Sequence, residues 1–153
     1  MLRHKSLHPL SHQHHNGLAL GVLVRRALEQ DPSPASLARQ VRKVLDRFDL
    51  EIRNHFELEE QLLFPAIEAE LGPHPLVQSL IAEHRELERL ATRLRSEPPA
   101  EATLTGFLGL LRRHIRTEEN DLFEEIQGRL APETLEHLGP ELDARAVRIC
   151  IEP

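Results

Sequence analysis

The sequence predicts an all-α protein, an up-down-up-down four-helix bundle with a short C-terminal extension. Three observations carry this expectation. Proline- and glycine-bearing breaks, "DPSP" (31–34), "GPHP" (72–75), "SEPPA" (96–100) and "GRLAP" (128–132), cut the chain into long segments with short links. Inside the segments the apolar residues recur at helical spacing. No segment carries a convincing strand pattern. Long helices joined by short loops pack as antiparallel neighbours.

The first helix is expected from about Leu10 to Gln30, with Leu18, Val22 and Leu28 among its apolar positions. The second runs from about Pro34 to Leu71 through Leu37, Val41, Val44, Phe48, Ile52, Phe56 and Leu63. Ser33 and Pro34 read as N-cap and first helical residue, and Gly72 as the stop. The third runs from about Pro75 to Ser96 through Val77, Leu80, Ile81, Leu87, Leu90 and Leu94. The fourth runs from about Ala102 to Gly128 through Leu104, Phe107, Leu111, Ile115, Leu122 and Ile126. The extension, 129–153, is expected to hold a short helix around Pro132–Leu138, and "AVRICIEP" is apolar enough to pack on the bundle. All 153 residues read as one domain, with the bundle over about 10–128.

Composition narrows the function. The net charge of −6 argues against a nucleic-acid partner. No apolar run approaches the roughly 18 residues that span a membrane. "MLRHKSLHPL" lacks the apolar core and cleavage site of a signal peptide, so a cytoplasmic location is expected. The single cysteine, Cys150, excludes an internal disulfide and a thiolate-rich metal site. With no tyrosine, tyrosyl-radical chemistry is excluded as well. The ten histidines call for an explanation.

Two stretches share one template. "HFELEEQLLFPAI" (55–67) and "HIRTEENDLFEEI" (114–126) align without a gap as H-x3-E-E-x2-L-F-x2-I. An α-helix turns about 100° per residue, so residues four apart share a face. His55 and Glu59 therefore point together, as do His114 and Glu118, toward the bundle interior. Glu60 and Glu119 lie about 140° from their histidines and should point elsewhere. Segments one and three carry a second shared pattern, H-x2-L-x3-apolar, at His15 and His84. The chain thus reads as two helix pairs that bring four histidines and two glutamates to a common centre.

Metal binding explains such a set best, because buried His and Glu are costly unless something satisfies them. Imidazole suits iron, zinc, copper and nickel, and carboxylates can bridge two ions. His15 and His55 would hold one ion, His84 and His114 the other, with Glu59 and Glu118 between. Glu88 shares the face of His84 and is an additional candidate. His12 and His14 are further candidates beside His15, although the plainer reading of that region is a solvated, frayed terminus. His4, His74 and His137 read as surface or loop residues.

The residues from about 10 to 128 resemble the hemerythrin-like (HHE cation-binding) domain family, most specifically in "HFELEEQLLFP" and "HIRTEENDLF". The resemblance implies a helical bundle around two non-haem iron ions with an oxo or hydroxo bridge (Fe-O-Fe or Fe-OH-Fe). It maps the ligands to His15, His55, Glu59, His84, His114 and Glu118. Zinc or a single ion is the alternative occupant. In the oxygen-carrying members a fifth histidine lies one turn before the third-helix ligand, where this chain has Leu80, and a His-x4 spacing on the last helix would select Glu119. The four-His, two-Glu pattern is closer to iron-centre repair proteins of the family.

Three functions follow as expectations. The first is a module that binds or senses O2, NO or iron, with any sensing acting through a protein partner or through the C-terminal tail. The second is a di-iron enzyme working on peroxide or NO, or in iron-centre repair. The third is a structural bundle with a vestigial site. The pattern favours a metal- and O2-binding protein over a classical enzyme.

Overall fold

Five helices organise the chain, with no strand among the described residues. The computed structural model describes residues 2–149, so Cys150 and the end of "AVRICIEP" lie outside the described residues. A 3₁₀ turn, Lys5–Leu7, leads into α1 (His8–Gln30). Helix α2 spans residues 34–71, α3 is Pro75–Ser96, α4 spans residues 101–129 and α5 is Pro132–Arg145.

The predicted punctuation has physical form. The Ser33 hydroxyl accepts the Ser36 N–H at 3.2 Å, and Pro34 opens α2. Gly72 ends it with φ +79°, a conformation that favours glycine. The His74 ring accepts the Leu76 N–H at 3.2 Å and caps α3.

Helices α2 and α4 are not uniform, which the periodicity alone does not anticipate. Wide i→i+5 turns interrupt α2 at Phe48–Ile52 and Glu59–Leu63, and α4 at Glu118–Leu122. The Phe64 N–H bonds the Glu59 carbonyl, and the Phe123 N–H bonds that of Glu118. In a straight helix residues four apart drift by about 40° per step and the inward stripe would wander. The wide turn absorbs a residue and restores the register. Glu59, Leu63, Phe64 and Ile67 are all buried, as are Glu118, Leu122, Phe123 and Ile126.

Helix α1 packs against α2 and α4, and α3 packs against the same two. Helix α5 is twice the expected length. It covers the Lys5–Leu7 turn, α1 and the Glu59–Leu63 turn. Its Leu135, Leu138 and Leu142 form a buried stripe with Leu7, Leu10 and Leu63. An interior proline costs about 3 kcal/mol, but burying three leucines at roughly 1.5–3 kcal/mol each carries the helix through Pro140.

The core has two apolar clusters. One holds Leu10, Leu58, Phe64, Leu80 and Phe123. The other holds Leu20, Ile52, Phe107, Leu87 and Leu111. Each of α1 to α4 carries a buried histidine.

Candidate metal centre

Those histidines are His14, His55, His84 and His114, joined by Glu59 and Glu118 in one buried layer. Ligand atoms of His14, His55, Glu59 and Glu118 all lie within 4.8 Å of one another, and so do those of Glu59, His84, His114 and Glu118. Both carboxylates belong to both groups. The Nε2 atoms point inward. His14 Nε2 lies 2.6 Å from Glu118 Oε2, His114 Nε2 3.0 Å from Glu118 Oε1, and His84 Nε2 3.2 Å from His114 Nε2. His55 Nε2 touches Glu59 Oε1.

The Nδ1 atoms point outward, each to a partner on another helix. His14 donates to Glu119 at 2.6 Å, His55 to the Gln13 side-chain oxygen at 2.9 Å and His84 to Glu60 at 2.8 Å. His114 Nδ1 lies 3.4 Å from a Glu83 oxygen. These three hydrogen bonds fix the rings of His14, His55 and His84 and keep their Nε2 atoms turned to the centre, whereas His114 Nδ1 is buried without a hydrogen-bond partner. Glu119 is itself held by Ser11 at 2.7 Å and by Arg3 at 3.0 Å. Phe56 stacks on His84 at 3.9 Å between centroids, and Phe123 on His14 at 5.4 Å.

Without a cation the layer is electrostatically uncomfortable. Burial, with the His114 charge, pushes the His84 imidazole down to about 2, and burial with the His14 charge pushes His55 down to about 4. Burial also opposes the charged form of His114, but Glu118 outweighs it and raises that ring to about 9. Burial and the Glu118 charge raise Glu59 well above the carboxylate range. Burial acts upward on Glu118 too, yet the cationic His114 and its hydrogen bonds hold it low. Two neighbouring buried carboxylates do not both ionise unaided. Glu59 Oε1 and Oε2, Glu118 Oε1 and His55 Nε2 are buried with no hydrogen-bond partner. Inward lone pairs lacking donors fit a cationic occupant, and the set suits metal ions.

Residues 6–126 match the family model described as the hemerythrin HHE cation binding domain. The chain belongs to the hemerythrin HHE cation-binding family. No curated protein and no solved structure matched it. The buried His and Glu cluster of this hemerythrin-family chain supports a metal-binding protein.

Five of the six residues expected from sequence, His55, Glu59, His84, His114 and Glu118, meet in the layer. The sixth does not. His15 is exposed, and His14 takes its place. The inward stripe of α1 is Leu10, His14, Gly17, Leu20 and Val24, all buried. Gly17 offers no apolar side chain, which hides the stripe, whereas Leu18 and Val22 are only half-buried. His12 is exposed as well. Glu88 is half-buried and paired with Arg85 at 2.5 Å, away from the layer. Glu119 stands outside the layer, behind His14.

The outer residues escape a search for ligands, yet the repeat contains their signal. Glu60 and Glu119 are equivalent in the template, and each holds a histidine of a neighbouring helix. Gln13 and Glu83 each precede a layer histidine by one residue, and each faces the ring of the following helix. Leu80, where a fifth histidine would stand, is fully buried in an apolar cluster.

Proposed function

We propose that this protein is a non-haem di-iron module, an up-down-up-down cage of α1 to α4 that binds a small diatomic molecule such as O2 or NO. His14 and His55 would hold one ion and His84 and His114 the other, with Glu59 and Glu118 shared. The observation that carries this reading is the sharing of both carboxylates by two four-residue groups, which favours two ions over one. Two imidazoles with carboxylate per ion suit iron. Iron held there would supply redox chemistry, and Leu80, in place of a fifth imidazole, would add no ligand.

The protein's own contribution is positional. Hydrogen-bond partners on Nδ1 of His14, His55 and His84 set their tautomers and direct Nε2. The stacked phenyl rings exclude water. A cavity of about 10 Å³ touches His14, His55 and His114 and is otherwise walled mainly by Gly17, Ile52, Phe56, Leu111 and Ile115. Its volume suits one water-sized molecule, which favours a diatomic ligand over a larger substrate.

Adding ferrous iron anaerobically to metal-free protein tests the reading. Binding only to the folded state stabilises by about 2.7 kcal/mol at a hundredfold excess over Kd, so Tm should rise and a chelator should reverse the rise. An unchanged Tm would contradict it.

A further inference from the structure

Glu51 is a buried carboxyl group that the metal layer does not use. It is 2% exposed and lies in the Phe48–Ile52 wide turn, one turn before His55. It lines the same small cavity as His14, His55 and His114. Its Oε2 accepts a hydrogen bond from Asn16 Nδ2 at 2.7 Å, and Oε1 takes none from a described residue. Asn16 also donates to the Ile149 carbonyl at 3.3 Å, which fixes the amide. The other polar lining groups are committed. Gln13 accepts from His55 and donates to Asn54 and to the Val147 carbonyl. The histidines point Nε2 to the centre, and the remaining walls are apolar.

Among the described residues no salt bridge holds Glu51, so burial favours its neutral form. Burial pushes its carboxyl above the usual range and outweighs the Asn16 hydrogen bond and the charges of Arg47 and His12. A neutral carboxyl group is a donor as well as an acceptor. With Oε2 engaged by Asn16, a hydroxyl proton would sit on Oε1 of a carboxyl group that lines the cavity.

We propose that Glu51 donates a hydrogen bond to the small molecule held in this cavity, and so selects ligands with a terminal oxygen or nitrogen lone pair. This rests on the di-iron reading. The probe is azide, titrated by absorption into iron-loaded wild type, Glu51→Gln and Glu51→Leu, with iron measured on the same samples. Both variants should retain wild-type iron. Loss of the donor should weaken azide by about tenfold in Glu51→Leu, while the amide of Glu51→Gln, still able to donate, should keep most of the affinity. Wild-type affinity in Glu51→Leu would overturn the proposal. Iron loss from both variants would make Glu51 a metal ligand and overturn it too. Wild type without iron would instead sink the di-iron reading first, before azide is added. A second measurement stands apart from folding of the leucine variant and from metal. The infrared difference between metal-free wild type and Glu51→Gln should contain a protonated-carboxyl stretch, and its absence would overturn the proposal.

Discussion

At the scale of residues, His14 and His15 make the sharpest contrast. They are adjacent, yet one is buried in the layer and the other faces solvent. His14→Ala should abolish most iron binding, while His15→Ala should leave it unchanged; equal loss would refute the assignment. Glu60 differs from Glu59 in kind. It stands behind His84, so Glu60→Gln should weaken metal affinity by about 10–100-fold without removing the site. Direct titration against a competing chelator measures this, and a loss as complete as that of Glu59→Gln would contradict it. Glu119 gives a pH signature in metal-free protein. Burial opposes its ionisation, but His14, Ser11 and Arg3 overcome it and hold the carboxyl at about 2, against an ordinary 4.5. Its contribution is therefore fully present above about pH 4.5 and lost as pH falls through about 2. The stability gap between wild type and Glu119→Gln in urea should shrink from pH 7 to pH 2.5; a constant gap would contradict the wiring. The inward set on α2, α3 and α4 was legible because apolar neighbours mark the face. On α1 glycine stood in the stripe and the mark was missing.

At the scale of elements, the helix boundaries were legible because Pro, Gly and Ser at the breaks act through local geometry. The wide turns were not, since they leave the sequence period nearly intact and show only as a hydrogen-bond slip. The length of α5 was also hidden, because Pro140 argues against a helix that burial sustains. Two positions test these packings. At Gly139 a Cβ would lie 3.0 Å from Ser6 Oγ and 3.3 Å from Ser6 Cα, so Gly139→Ala should lower Tm by pushing α5 off the N-terminal turn. A gain in Tm would contradict that close approach. At Gly17 a Cβ would lie 3.0 Å from Ile115 Cδ1. Gly17→Val should fill the cavity between α1 and α4, and iron-loaded protein should bind azide more weakly with its iron retained. Unchanged azide affinity would place the ligand elsewhere.

At the scale of the whole molecule, a polar layer divides an apolar core, and the same wiring occurs twice. Histidines from α1 and α3, each after Gln13 or Glu83, face histidines and glutamates from α2 and α4. The repeated template in α2 and α4 exposed that plan in the sequence, and the family match covers the stretch that carries it. The outer hydrogen bonds were beyond reach, because they join residues on different helices and depend on how those helices pack. Such a layer is a liability in a metal-free fold and an asset once its lone pairs meet cations. The number of metal ions bound per folded chain, by elemental analysis of protein made without an affinity-tag metal, tests this account most directly. Two irons per chain are predicted, with both lost in Glu118→Ala. One ion or none in wild type would contradict the shared-carboxylate centre.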